Sequence, residues 1–179
     1  MDRDQSIAIN AEPLTLRQLT GTIDEMTALQ RVLEAAPAYF ETLTGLPPGN
    51  AEAQSTFSAL PPDKHYDDKF VWGLYAGDQM IGCADVIRGY PVCAKAVIGL
   101  LLLAERWQRR GFGRAFALLI EQVIAGWPEI TTLRLGVVER RMGARAFWRK
   151  LGYVETGEVK NDPAFASNVV VLEKALSRG

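Results

Sequence analysis

Residues 97–127 constrain this chain more than any other part of it. A nearly continuous apolar run, 97–103, leads into the basic, glycine-containing turn Gln108-Arg109-Arg110-Gly111-Phe112-Gly113. An apolar run of this kind reads as a strand buried on both faces. Downstream, Phe112, Phe116, Leu119, Ile120, Val123 and Trp127 recur at i, i+4, i+7, i+8, i+11 and i+15. That is the single stripe of an amphipathic helix over 112–127, which Pro128 ends. A buried strand, a glycine turn and a long helix in this order make an anion site. Glycines let the backbone approach closely. The first helix amides have no partner inside the helix, and the helix dipole adds positive charge at that end. Together they form a cradle for a pyrophosphate, with Arg109, Arg110 and Arg114 adding full charges beside it.

The rest of the pattern surrounds this unit with more strands and helices. Residues 7–19 read as a short strand and a turn. Thr22, with Glu25 three positions on, is a capping-box start for a helix over 22–36, in which Met26, Leu29 and Leu33 share a face. Pro37 is expected to stop it. Residues 42–69 are turn-rich, with Gly45, Pro47-Pro48-Gly49 and Pro61-Pro62, and leave room for a short helix over 51–60. So long an irregular segment reads either as a lid or specificity loop or as a surface excursion. Runs at 70–75 and 79–87 around Ala76-Gly77-Asp78 read as a hairpin. Residues 132–138 read as a strand and 143–151 as a helix. Ala144, Phe147, Trp148 and Leu151 lie on one side of it and Arg141, Arg145 and Arg149 on another, and Gly152 takes the left-handed position after its end. Strands over 153–159 and 169–172 close the chain. This order predicts an α/β (α+β) fold in a single domain over 1–179, with a mixed central sheet of about six or seven strands flanked by helices.

Composition narrows the function classes. Hydrophobic residues make up 48% of the 179, enough for an ordinary core, and the formal net charge is −1. No global field draws such a chain to nucleic acid or to an anionic membrane. The longest apolar stretch, 97–104, falls far short of the roughly 20 residues that span a bilayer. Residues 1–10 lack a basic start followed by an apolar core. A soluble, cytoplasmic protein with no nucleic-acid and no membrane partner is expected. Cys83 and Cys93 give neither a disulfide framework nor metal-ligand spacing and read as small buried apolar residues. His65 is the only histidine, so no metal is expected. Charge is locally uneven: residues 134–150 carry six basic residues and one acid, a net of +5. That cluster reads either as a solvated helix face or as a surface that meets a phosphorylated small molecule.

Among glycine-turn nucleotide motifs, a P-loop needs Gly-Lys-Ser/Thr, and here Arg114-Ala115 follow Gly113. A dinucleotide fingerprint needs a third glycine where Phe116 stands. What Gln108-x-x-Gly111-x-Gly113 does resemble is the acyl-CoA-binding motif of the GNAT superfamily of N-acetyltransferases, Gln or Arg followed by x-x-Gly-x-Gly/Ala. Residues 133–153 resemble that family's second block, a strand, a polar turn and A-x-x-F-[YW]-x-K-x-G-[FY], here Ala144, Phe147, Trp148, Lys150, Gly152 and Tyr153. The likeness covers 70–173 and is weak before residue 70. It implies the acyl-CoA N-acyltransferase fold, an acyl-CoA core at 70–173 and an acceptor side at 1–69. It implies that the backbone of Leu101, Leu102 and Leu103 pairs with the pantetheine arm of acetyl-CoA. Gln108, Arg109, Arg110, Gly111, Phe112, Gly113 and Arg114 would then hold the pyrophosphate, with Arg145 or Arg149 near the 3′-phosphate. Strands 97–103 and 132–138 would be parallel and would splay to admit the coenzyme. The resemblance is also compatible with a homodimer.

Two positions depart from the family pattern. Arg141 stands where Asn is frequent, and a contact to the pantetheine or acceptor side is then made differently. Trp148 stands where Tyr is frequent as general acid. Indole N–H donates but does not act as an acid, and Trp148 reads either as core packing or as a coenzyme contact. A thiol with pKa near about 8.5 leaves tolerably as thiolate. The implied reaction is acetyl transfer to a small-molecule or peptide amine by direct attack, and a non-catalytic acyl-CoA sensor is the alternative. An amine with pKa near about 10.4 needs a base at neutral pH. Asp85 is the candidate. It lies on the strand 79–87, on the face of Ile81, Cys83 and Ile87 by the period of two, where apolar neighbours would raise its pKa. The other reading is that Asp85 ends the exposed part of the strand or caps the turn Arg88-Gly89-Tyr90-Pro91. Tyr39, Phe40, His65, Tyr66 and Asp67 are candidates to line the acceptor side.

Overall fold

In the computed structural model, residues 5–9 and 12–176 are described. Strands β1 (Gln5–Ile9) and β2 (Glu12–Gln18) form a hairpin where one strand and a turn were expected. Helix α1 (Ile23–Glu34) begins as the sequence predicts. Thr22 Oγ1 accepts the Glu25 amide at 3.3 Å, and Glu25 Oε2 accepts the amides of Thr20, Gly21 and Thr22 at 2.9, 2.8 and 3.0 Å. Its end differs from expectation. The helix closes at Glu34, and Pro37 opens a second helix, α2 (Pro37–Thr44), rather than stopping the first. Proline suits the first helical position, where its missing N–H costs nothing. Helix α3 (Glu52–Ser58) is the short helix expected within the turn-rich segment.

Strands β3 (Lys69–Ala76) and β4 (Gln79–Arg88) form the expected hairpin, followed by β5 (Lys95–Leu103), α4 (Phe112–Ala125), β6 (Thr132–Val138), α5 (Met142–Lys150), β7 (Val154–Lys160) and β8 (Val169–Ala175). The eight strands make one sheet in the order β1-β2-β3-β4-β5-β6-β8-β7. Every neighbouring pair is antiparallel except β5 and β6, which run parallel. The parallel pair needs a crossover, and α4 supplies it.

Helices cover both faces, and each covered face has its own apolar cluster. On one, Phe112, Phe116, Leu119 and Ile120 of α4 pack against Ile81, Val86, Ile98 and Leu135. On the other, Leu29 and Leu33 of α1 and Phe40 of α2 pack against Val71, Cys83 and Leu102. Leu102 and Leu103 thus face opposite clusters, as successive strand residues must. The predicted stripe of α4 is the buried one, with Val123 at its edge, but the helix ends at Ala125 before Gly126 rather than at Pro128. Trp127 lies just past that end, its ring 4.7 Å from that of Phe70. Cys93 is exposed, not buried as expected, because it sits in the turn between β4 and β5, while Cys83 is buried. His65 is exposed. Among the described residues no helix is long and apolar enough to cross a membrane.

Candidate active site

The site is built by two register slips and one parting of strands. Between β5 and β6 the ladder runs only from Lys95 opposite Thr132 to Ile98 opposite Leu135. Beyond that point the two strands diverge, and a gap opens between Leu100–Leu101 on one side and Gly136–Val138 on the other. The parting coincides with a bulge. Asp85 stands opposite Leu100 and Val86 opposite Ile98, so Gly99 is an extra residue on β5. A bulge bends its strand and sharpens the twist. A Cβ at Gly99 would stand 3.2 Å from Asp85 Oδ2.

On the α5 side, the gap widens into a cleft of about 840 Å³. Leu101, Leu102 and Leu103 line one wall. Gln108, Arg109, Gly111, Gly113 and Arg114 form its end, and Arg140, Arg141, Phe147 and Trp148 form the other wall. Gln108 Nε2 donates to the Leu103 carbonyl at 2.8 Å, folding the turn back on the strand. Arg109 has φ +58° and Gly111 φ +87°, the left-handed geometry that turns the chain into α4. The first intrahelical bond of α4 is donated by Ala115 to the Gly111 carbonyl, so the amides of Phe112, Gly113 and Arg114 have no partner within the helix. Arg109, Arg114, Arg140 and Arg141 line this cleft without a carboxylate partner among the described residues. The arrangement fits an extended anionic ligand: amide donors and unpaired guanidinium groups at one end, apolar walls along the rest.

Two predicted residues turn away from the cleft. The Arg110 guanidinium lies 5.1 Å from the Trp107 ring centroid and 5.2 Å from that of Phe112, and the Phe112 side chain is fully buried in the core. Only their backbone belongs to the turn that bounds the cleft. Arg145 and Arg149 both donate to Glu155 Oε1, so these two cations already have a counter-charge. Arg140, which the sequence reading did not single out for the coenzyme, is the basic residue of that segment that reaches the cleft together with Arg141.

At the narrow point between β5 and β6, a cavity of about 90 Å³ is lined by Tyr39, Gly99, Leu100, Leu101, Val137, Arg141 and Trp148 among others. Tyr39 comes from α2. The start of that helix is held to the segment after β5 by Glu105, whose amide donates to the Ala35 carbonyl at 2.8 Å and whose Oε1 accepts the Ala38 amide at 3.0 Å. Burial pushes the Tyr39 phenol up to about 12, against the opposing charge of Arg141, whose guanidinium lies 5.1 Å from its ring centroid. Trp148 both packs and lines. Its ring is edge-on to Phe147 and to Tyr153, each at 5.0 Å, and it borders the gap and the cleft.

Asp85 is largely buried, and Lys69 Nζ donates to its Oδ1 at 2.7 Å. Oδ2 faces Gly99. Burial raises the carboxyl above its ordinary value, while the charge and hydrogen bond of Lys69 pull the other way. The expected face of Asp85 needs one correction. Cys83 shares the cluster on the α1 side, but Ile81 packs in the opposite one. Ile81 is an extra residue on β4, with Leu74 opposite Gly82 and Tyr75 opposite Met80, and the alternation reverses there. Cys83 is fully buried and its thiol pushed up by burial and by Asp85, which leaves it unsuited to nucleophilic work.

On the far side of the gap lies a third cavity, of about 240 Å³, lined by Leu43, Tyr90, Val138, Phe165 and Val169, with Arg134 and Lys160 as its charged residues. Tyr39 borders all three spaces. Among the members of the site that were not foreseen are Lys69, Gly99, Arg140, Lys160 and Phe165. The basic run 134–150 was the available signal for Arg140; Lys69 and Gly99 depend on the bulges.

A sequence model of the acetyltransferase (GNAT) family matches residues 30–153. No curated protein matches the chain significantly. Among solved structures, an acetyltransferase from Thermus thermophilus is 25% identical, with a TM-score of 0.68 over 90% of this chain and 97% of that one. The ribosomal-protein-S18-alanine N-acetyltransferase from Escherichia coli is 15% identical, with a TM-score of 0.66 over 93% and 96%. The paia N-acetyltransferase from Thermoplasma acidophilum, solved in complex with coenzyme A, is 18% identical, with a TM-score of 0.61 over 90% and 98%. The family match spans well over half of the chain, from α1 to the end of α5, and the chain is therefore an acyltransferase belonging to the GNAT family of acetyltransferases.

Proposed function

We propose that this chain transfers an acetyl group from acetyl-CoA to a primary amine by direct attack in a ternary complex. The observation that carries this reading is the row of three adjoining spaces: a cationic cleft, a narrow gap at Gly99 and a cavity beyond it, with Tyr39 common to all three. Two reactants approaching from opposite sides would meet at the gap without an intermediate acyl-enzyme. In this reading the amides of Phe112, Gly113 and Arg114, with Arg109 and Arg114, hold the pyrophosphate. The turn Gln108–Gly113, including the backbone of Arg110 and Gly111, shapes that end. The diverging backbone of Leu101, Leu102 and Leu103 accepts the pantetheine arm and turns an amide toward the thioester carbonyl, where it stabilises developing negative charge. Arg141 and Trp148 close the opposite wall. Acetyl-CoA supplies the activated acyl group.

Asp85 takes the proton that the attacking amine loses. Its Oδ1 is occupied by Lys69 and its Oδ2 is turned toward Gly99 at the gap, which leaves one oxygen for the amine, directly or through a water. The leaving thiolate needs no dedicated acid, since a thiol with pKa near about 8.5 is a tolerable leaving group. Residues 70–173 then act as the coenzyme-binding core, and residues 1–69 supply Tyr39 and the acceptor side. The protein would act in the cytoplasm, on an amine rather than on nucleic acid or membrane.

The test is thiol release from acetyl-CoA by the purified protein, with and without amines. Release that requires an amine and saturates with it is the expected result. Failure of acetyl-CoA to bind, or thiol release at the same rate with no amine present, would sink the proposal.

A further inference from the structure

The chemistry of the acceptor can be taken further from the third cavity, an inference that rests on the reading of the chain as an amine acetyltransferase. Two observations define the cavity: its charge and its volume. The charged residues that line it are Arg134 and Lys160, and among the described residues no carboxylate does. Arg134 is already committed, with Nη2 2.6 Å from Glu158 Oε2 and Nη1 2.7 Å from Glu173 Oε1. Glu173 is further shared with Lys95 at 2.6 Å. Lys160 is different. It is half exposed and meets Glu158 only at 3.9 Å, so its ammonium is available to an incoming anion. The nearby buried carboxylate, Asp85, is already engaged by Lys69.

Volume sets the limit on size. The cavity holds about 240 Å³, below the span of roughly 300–1,000 Å³ in which drug-sized ligands bind. Leu43 at the end of α2 and Phe165 of the β7–β8 connection both line it. The Ala166 amide donates to the Leu43 carbonyl at 2.8 Å and ties the two segments together. The walls are apolar or aromatic: Leu43, Tyr90, Val138, Phe165 and Val169.

We propose that the acceptor is a small α-amino acid with a branched or aromatic apolar side chain. Its amine lies at the gap beside Asp85, its side chain fills the apolar walls, and its carboxylate is drawn by Lys160. A second positive charge on the acceptor would enter a space lined by Arg134 and Lys160 and, among the described residues, by no carboxylate, which disfavours polyamines and aminoglycosides. The preference comes as much from this repulsion as from the attractive contacts.

The experiment measures thiol release from acetyl-CoA with leucine, phenylalanine, isoamylamine, phenethylamine, spermidine and the N-terminus of a short apolar peptide. Melting temperature is read in parallel with each amine added to the acetyl-CoA complex. Leucine or phenylalanine should give the highest kcat/KM and raise the melting temperature above that of the binary complex. Lys160→Glu should raise KM for those amino acids about tenfold, the loss of one charge-assisted contact, while leaving KM for isoamylamine or phenethylamine the same or lower. A higher kcat/KM for spermidine or for the peptide overturns the proposal. So does the absence of both turnover and stabilisation by every apolar amino acid while acetyl-CoA still binds. Failure of acetyl-CoA itself to stabilise the protein is a different result and overturns the acetyltransferase reading on which the proposal stands.

Discussion

Asp85 and Lys69 form the pair on which most of the proposed residue-level chemistry turns. Their register shows why only half of it is readable in the sequence. Asp85 is recognisable as an acid on an apolar strand. Lys69 is not recognisable as its partner, because a regular hairpin continued from Ala76 opposite Gln79 would set Asp85 opposite Phe70 and put Lys69 on the other face. The extra residue Ile81 slips the ladder by one, Asp85 stands opposite Val71, and Lys69 joins it on the same face. The pair has a measurable consequence. If ionised Asp85 is the base, kcat/KM rises with pH through its pKa. Burial raises that pKa and Lys69 lowers it, so removing Lys69 removes the lowering contribution. Lys69→Met should therefore move the acid limb of the kcat/KM profile to higher pH. Asp85→Asn should abolish the limb and lower kcat by roughly 100-fold or more, the usual worth of a general base. The same substitution leaves a buried Lys69 ammonium without its counter-charge, a loss of about 3–5 kcal/mol when one partner of a buried pair is removed. A lowered melting temperature is expected alongside the kinetic loss, and the two are separated by following both. An acid limb that stays in place in Lys69→Met would show that another group titrates.

At the scale of elements, what could be read was what depends on local pattern. The stripe of α4, the capping box of α1, the left-handed Gly152 after α5 and the β3–β4 hairpin all follow from residues within a few positions of one another. The turn from Gln108 to Gly113 was legible for the same reason. What could not be read depends on pairing partners distant in sequence: the β1–β2 hairpin counted as one strand, the bulges at Ile81 and Gly99, and the conversion of Pro37 from a stop into the start of α2. Tyr39 reaches the gap only because α2 exists. Close approach between β4 and β5 gives this scale its own test. A Cβ at Gly82 would stand 2.7 Å from the Leu102 carbonyl oxygen and 2.6 Å from Leu103 Cδ2. The first of these is backbone and cannot swing aside. Gly82→Ala must displace β5, the strand that walls the cleft, at a cost of about 1–3 kcal/mol, the usual penalty for overpacking. For a chain of this length each kcal/mol lowers the melting temperature by roughly 2–4 °C. Thermal unfolding should show that drop together with a raised KM for acetyl-CoA. An unchanged melting temperature would mean that β4 and β5 are less tightly apposed than this geometry requires.

Across the whole molecule, the sheet consists of two parts, β1–β5 and β6–β8, joined by a ladder that stops at Ile98 opposite Leu135. The cleft occupies the place where that ladder would continue, so a ligand lying there takes over part of the contact that the two halves lack. Charge points the same way. The chain carries a net charge of only −1, yet Arg109, Arg114, Arg140 and Arg141 gather on the cleft without carboxylate partners among the described residues. Their mutual repulsion is relieved when a polyanion binds. Acetyl-CoA should accordingly act as a structural bridge as well as a substrate. At a hundredfold excess over its dissociation constant, a ligand that binds only the folded state adds about 2.7 kcal/mol. At roughly 2–4 °C per kcal/mol, the expected rise in melting temperature is roughly 5–10 °C. The site of the gain distinguishes a bridge from simple mass action. Amide hydrogen exchange should slow in 99–103 and 112–114, the strand edge and helix start that face the cleft, and along β6 beyond Leu135, while β1 to β3 change little. Added salt should shrink the thermal shift, because the cleft charges are open to solvent and are screened within about 8–10 Å at physiological ionic strength. A thermal shift of the expected size with exchange slowed evenly over the whole sheet would mean that the halves are already rigidly joined through their helices, and that the parting of β5 from β6 serves access alone.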